Sequence, residues 1–334
     1  MKKLILTSTL LTALTAAALA DHGPGTSGGG FNTQTAEILK QRQWSAALSS
    51  DWTEFDSPSE SALVGKEHFD LIDRSFLSNL SLSLGLAENF QIGLSFGYYA
   101  AQGTRRIAHQ HGDHAEGATS GHDEPAGEEH AASSKPELAS FDPDGWTDLW
   151  LTAKYRVYRG SAGQVAILGG VKFPVGETRV IDTLGERVEP ASTPGSGAWD
   201  GMVGAAYTLA LAPAVSFDAS AQYTLRGEKT DYRLGNRLDA GLAVGWRIVG
   251  DAKRFPQVVL MGEATVRAVA KSEESGARDA NTGGTALFLS PGLRVGFCEN
   301  ASWSVGVQIP VVQELNGNQV KTEFRLTSSL NLAF

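Results

Sequence analysis

Beyond about residue 41 the chain alternates apolar and polar positions in long segments, the period of two that a β-strand with unlike faces requires. Phe76, Leu80, Leu82, Leu84 and Leu86 share one face, with Asn79, Ser81, Ser83 and Gly85 on the other. Phe90, Ile92, Leu94, Phe96 and Tyr98 repeat the pattern against Gln91, Gly93, Ser95 and Gly97, and only Ala87-Glu88-Asn89 lies between, so the two segments form a hairpin. Equivalent segments begin near Trp44, Leu149, Val165, Val203, Val215, Leu238, Val258, Leu287, Trp303 and Val320, giving about twelve strands. Many run past the roughly 9 to 11 residues that cross a bilayer at a tilt.

The faces opposite the apolar ones carry Lys154, Arg156, Lys172, Asp200, Asp218, Arg237, Asp239, Arg247, Glu263, Arg267, Arg294, Lys321, Glu323 and Arg325. A closed apolar core does not accept such a set. Lipid outside and a wet interior explain both faces, so the expected fold is all-β: a transmembrane antiparallel up-and-down barrel of about 12 strands. Connections alternate in length. Tight ones fall at Ala87-Glu88-Asn89, Arg159 to Gly163, Ala212-Pro213, Val249 to Pro256 and Cys298-Glu299-Asn300; longer polar ones span 54–74, 101–145, 174–198, 226–236, 270–284 and 313–319. Short turns face the periplasm in such barrels and long loops face outward, so both termini fall on the periplasmic side. Trp44, Tyr98, Trp146, Trp199 and Phe334 sit near strand ends, as aromatic girdle residues do.

The N-terminus sets the compartment. Lys2 and Lys3 precede an apolar stretch from Leu4 to about Ala18 and the small residues of Ala18-Leu19-Ala20, the pattern of a signal peptide over residues 1–20. Residues 21–40 include the Gly-rich run Gly23 to Gly30 and read as a flexible segment that either hangs in the periplasm or folds into the lumen as a plug; the barrel follows over 41–334. The single Cys298 excludes an intrachain disulfide, and a net charge of -9 gives no support to nucleic-acid binding.

Two resemblances follow. The final Phe324-Arg325-Leu326-Thr327-Ser328-Ser329-Leu330-Asn331-Leu332-Ala333-Phe334 resembles the C-terminal insertion signal of bacterial outer-membrane proteins, which implies recognition of Phe334 by the barrel-assembly machinery and residence in outer-membrane lipid. The segments Trp146-Thr147-Asp148-Leu149-Trp150-Leu151-Thr152-Ala153-Lys154-Tyr155-Arg156, Gly169-Gly170-Val171-Lys172-Phe173-Pro174-Val175-Gly176 and Pro194-Gly195-Ser196-Gly197-Ala198-Trp199-Asp200 resemble the outer-membrane transporter family associated with phenol and aromatic-compound degradation. That resemblance implies passage of small solutes and names no substrate.

Candidate chemistry lies in two places. Lys172, Arg237, Arg267 and Arg294 project from the polar faces and are expected to line the lumen, either as a selectivity surface or as members of ion pairs that fill it. Five of the seven histidines, His109, His111, His114, His122 and His130, fall in loop 101–145, where nine acidic side chains face three basic ones. Imidazoles and carboxylates on free backbone wrap Zn²⁺, Cu²⁺ or Ni²⁺ without a preformed fold, so a metal-capturing barrel is the alternative to a solute channel; otherwise the stretch is a solvated loop with no selected ligand. No cofactor is required for passage. The chain is expected not to be an enzyme, since no Ser/His/acid spacing or Gly-x-Ser-x-Gly motif is present; an outer-membrane enzyme assembled from distant strands is the third reading.

Overall fold

The computed structural model describes residues 30–59, 70–107, 138–251 and 254–334. Twelve long strands lie within them: β1 (Trp44–Asp56), β2 (Arg74–Ala87), β3 (Phe90–Gln102), β4 (Leu149–Gly160), β5 (Gly163–Phe173), β6 (Asp200–Ala212), β7 (Val215–Leu225), β8 (Arg237–Asp251), β9 (Arg254–Val269), β10 (Gly284–Cys298), β11 (Ala301–Leu315) and β12 (Lys321–Ala333). Each pairs antiparallel with its sequence neighbours, and β12 returns to β1 in register from Ser45↔Ala333 to Asp56↔Lys321, which closes the barrel. Closure gives each of the twelve long strands a partner on both sides, the condition for sheet to cross lipid.

The alternation sorts the faces as a bilayer requires. Along β1, Ser45, Ser49, Asp51 and Thr53 are buried in the lumen while Trp44 and Leu48 are exposed outward; along β12, Arg325, Thr327, Ser329 and Asn331 point in while Leu326, Leu330 and Leu332 point out. At the long-loop ends of the strands Tyr98 packs edge-on against Trp146 at 5.5 Å, and Phe173 packs at a tilt against Trp199 at 4.9 Å. Trp44 and Phe334 are joined at the other end by reciprocal backbone hydrogen bonds of 2.8 and 3.0 Å.

Several loop boundaries differ from those read in the sequence. Strands β8 and β9 extend through most of the expected 249–256 turn, because Gly250 at φ +78° accommodates bulges on either side of Val249. Lys321 and Glu323 are exposed at the rim rather than inward, where the register shifts between Glu54 and Phe55. Parts of the long loops form sheet of their own above the rim: Thr104–Ile107 pairs with Leu138–Phe141 and Asp70–Leu71, and the 226–236 and 270–284 loops join through four two-residue strands.

One seam interrupts the wall. The β11–β12 ladder stops at Gln308↔Arg325, although β10–β11 continues to Gly284↔Leu315 and β12–β1 to Asp56↔Lys321. Beyond it the Gln313 amide stands in for backbone: Nε2 donates to Thr322 O and Oε1 accepts from Thr322 N, each at 2.9 Å. Pro310, which has no N–H to offer, and the bulged Val311 mark where the ladder is lost.

Candidate functional site: the lumen and its extracellular vestibule

Residues 30–40 lie inside the barrel and sweep along its wall. Leu39 N donates to Gln91 Oε1 on β3 at 2.9 Å, and Lys154 Nζ on β4 donates to Thr35 O at 2.9 Å. Ala36 N donates to Thr208 Oγ1 on β6 at 2.8 Å, and Gln34 N to Ser220 Oγ on β7 at 2.9 Å. Glu263 on β9 takes the upper end, accepting Asn32 N at 2.9 Å and Thr33 N at 2.6 Å. Apart from the bridge residue Gln34 the described part of this segment carries no strand, and these backbone donors are satisfied by inward-facing acceptors of the wall.

Two apolar anchors complete the seat. Ala36 packs into a buried cluster of Trp150, Ala166, Leu168, Met202 and Ala206. The Phe31 ring lies on Gly292 of β10 and Gly306 of β11, where a Cβ would come within 2.2 and 2.5 Å of it. Glycine at both positions is what leaves room for the ring.

The four cations singled out in the sequence, Lys172, Arg237, Arg267 and Arg294, fall into two groups. Lys172 Nζ lies 2.6 Å from Asp200 and 3.1 Å from Asp148, and Arg226 reaches Asp200 at 2.8 Å. Beside them Asp239 is shared by Arg237 at 2.5 Å and Arg267 at 2.7 Å. Arg294 stands apart, nearer the short-turn end of the barrel, facing the carboxylates of Asp218, Glu263 and Glu37. The five loop histidines, His109, His111, His114, His122 and His130, lie outside the described residues; among the described residues no group of three or more His, Cys, Asp or Glu is placed to hold a metal ion.

The three quoted motif segments converge on this upper group. Asp148 accepts Gly176 N and Ser196 N, each at 3.0 Å, while Lys172 also donates to Ser196 Oγ. A Cβ on Gly195 would come within 2.7 Å of the Gly176 backbone, so both glycines are required for loop 174–199 to fold down onto the β4 and β5 ends. The motif is therefore a knot of ions and tight loop at the extracellular rim. Arg226 belongs to it yet escapes sequence reading, because it sits in an expected solvent loop and turns inward instead.

Above the knot is a cavity of about 630 Å³, lined by strand ends and by parts of the long loops. Arg226, Arg237 and Arg267 lie on its lining, as do Gln313 and Thr322 of the β11–β12 seam.

A closed twelve-strand barrel with a polar lumen and an apolar exterior is a bacterial outer-membrane β-barrel. The chain belongs to the family described as "Putative MetA-pathway of phenol degradation", whose model matches residues 116–314. Among solved structures it is similar to an outer membrane channel from Pseudomonas putida F1, at 15% identity and TM-score 0.58, covering 90% of this chain and 98% of that one. It also matches the translocator domain of the autotransporter NalP from Neisseria meningitidis (10% identity, TM-score 0.46, 90% of each chain) and the NanC porin (8% identity, TM-score 0.44, 86% of this chain and 98% of that one). No curated protein matches the sequence.

Proposed function

We propose that the protein is an outer-membrane channel for small solutes whose passage is restricted by residues 30–40. The observation that carries this reading is the lumen itself: inward positions are Ser, Thr, Asn, Gln or charged along most of the wall, and a segment held by hydrogen bonds to wall side chains crosses it. A polar lumen within twelve strands supports a water-filled path once that segment moves. Conduction fits better than catalysis, because Asp148, Asp200, Asp239 and Glu263 are committed to ion pairs or to the N-terminal segment.

Planar-bilayer recording tests it. The mature chain is expected to conduct weakly, and the same chain lacking residues 21–40 several-fold more. Charge reversal at Lys172, Arg237, Arg267 or Arg294 is expected to shift ion preference, and an unchanged preference would make these residues structural filler of the lumen. Absence of conductance after the deletion would overturn the channel reading.

A further inference from the structure

We propose that the lipid-facing side of β5 and β6, with the loop residues directly above it, is a docking site for the phosphorylated glycolipid of the outer leaflet, lipid A: an acyl chain lies along Gly169 and Gly201, and a phosphate is held by Lys229 and Arg179. The proposal goes beyond the channel reading, since it concerns the outside of the barrel and asks nothing of the lumen.

The lower half of the site is a trough that packing within the chain does not require. β5 and β6 pair there without a register shift, Gly201↔Val171 and Gly169↔Val203, so each of these outward glycines has an exposed valine beside it. A Cβ on Gly201 would meet nothing within 4 Å, and one on Gly169 would meet only the Met202 carbonyl oxygen at 3.9 Å. Neither glycine has a positive φ. Glycine weakens a strand interior and marks a bulge, a sharp bend or a place where another molecule comes close. The unshifted register and ordinary φ leave the last, and on the outward face that molecule is a lipid chain.

The same register carried outward sets Trp199 opposite Phe173, with the rings 4.9 Å apart, Gly197 opposite Val175, and Gly195 opposite Glu177, where Gly195 N donates to Glu177 O at 2.8 Å. Aromatic girdle residues mark the membrane interface, so the positions just beyond this pair lie at headgroup level. Two exposed cations occupy them. A Cβ on Gly197 would come within 2.5 Å of Lys229 Nζ, so the Lys229 side chain lies across Gly197, two residues from Trp199. Arg179 follows Val175 and Glu177 along a run of alternate exposed positions. Neither cation has an ion-pair partner among the described residues. The neighbouring acids are engaged elsewhere: Glu177 Oε1 accepts Arg179 N at 2.7 Å, and Glu228 stands opposite Arg233. Lysine and arginine at a membrane surface are the donors that phosphate headgroups take. Directly above an apolar trough, they match a lipid whose phosphate sits over its acyl chains.

Native mass spectrometry of the full mature chain in detergent, with added lipid A, fully dephosphorylated lipid A or phosphatidylglycerol, tests this. Lipid A is expected to be retained at least tenfold more tightly than either of the other two. Joint replacement Lys229→Ser and Arg179→Ser should weaken lipid A about tenfold, and Gly201→Leu, which fills the trough from a position where a Cβ meets open space, several-fold. Heat-modifiable gel migration reports an intact barrel in each, and Arg159→Ser at the short-turn end should change nothing. Lipid A held no better than its dephosphorylated form, or held equally by the parent and the Lys229/Arg179 variant, would overturn the site; unchanged retention by Gly201→Leu would overturn the trough. Phosphatidylglycerol held as tightly as lipid A, and lost with the same substitutions, would overturn lipid A as the occupant. Conductance should be the same in parent and variants, so failure of this site and failure of the channel reading are seen separately.

Discussion

The carboxylate of Glu263 accepts the backbone N–H of Thr33 at 2.6 Å across a separation of 230 residues, and through the same two oxygens takes three further hydrogen bonds from Asn32. Hydrogen bonds to an ionised acceptor contribute about 1.5 to 3 kcal/mol each where buried, and the cost of losing the set is less than the sum because freed donors regain water. This contact is the upper tether of the N-terminal segment. Glu263→Ala should release it while the wall stays closed by backbone pairing. Single-channel recording is expected to show openings at least tenfold more frequent than in the parent chain; unchanged openings would mean that the lower tethers at Thr208 and Gln91 suffice.

The Phe31 ring provides a second way to unseat the segment. Gly306→Ala places a methyl group where the ring lies, and β10–β11 pairing leaves little room for the wall to give. Conductance should rise as it does for Phe31→Ala, and the double variant should match either single one, because both remove the same contact. Additive effects would show that Gly306→Ala acts on the wall itself.

The outward face of this barrel is legible in the sequence because lipid imposes one chemistry at every second residue, as Leu80, Leu82 and Leu84 demonstrate. The path of residues 30–40 is not. Thr33, Ala36 and Leu39 fall outside the period of two that marks the strands, and their donors meet acceptors such as Glu263, Thr208 and Gln91 that lie far off in sequence. Lys172, Arg237, Arg267 and Arg294 were recognisable as inward residues, but their division into one shared cluster and one separate cation depends on Arg226, Asp148 and loop 174–199 folding over the rim. Gln313 fell within an expected loop, and nothing in its neighbourhood signals a side chain standing in for a strand.

That glutamine offers a stability test. Its amide satisfies both Thr322 N and Thr322 O beyond the point where the β11–β12 ladder stops. Gln313→Leu keeps the volume and leaves both groups without that partner, at a cost of about 1 to 3 kcal/mol. The gel-shift temperature for unfolding should fall, with Gln313→Asn intermediate because its shorter arm spans the gap less well. An unchanged shift temperature would mean that water satisfies Thr322 equally well.

Acid should loosen one extracellular loop before the barrel. Burial pushes the Asp182 carboxyl up, but the backbone N–H groups of Glu186 and Leu184 and the Arg106 guanidinium outweigh it and hold the group below its ordinary range. Arg106 lies 2.7 Å away and the two amides 2.9 Å. A carboxyl depressed in the folded state contributes stability that is complete above its unfolded value, about 3.9, and is lost as pH falls through the folded value. Hydrogen-exchange protection at Leu184 and Glu186, corrected for intrinsic rates, should hold from neutral pH to about 4 and then decline. Asp182→Asn should show weaker protection at neutral pH and no acid step; a step retained in that variant would assign it to another group.

The histidine cluster yields a prediction that rests on sequence alone. Between residues 101 and 145 nine carboxylates outnumber three cationic side chains, which draws any cation weakly and with strong dependence on salt. Imidazole adds preference for Zn²⁺, Cu²⁺ or Ni²⁺ over Ca²⁺, and the preference requires neutral rings, so it should fade as pH falls below about 6.5. Replacing His109, His111, His114, His122 and His130 together by Gln keeps loop length and carboxylate charge while removing the nitrogen ligands. Calorimetry should then show tight Zn²⁺ binding lost and weak Ca²⁺ attraction retained. Equal Zn²⁺ binding by the two proteins would reduce the cluster to a solvated acidic loop, whereas lost binding with unchanged metal uptake by cells would assign it to capture at the surface rather than to passage through the barrel.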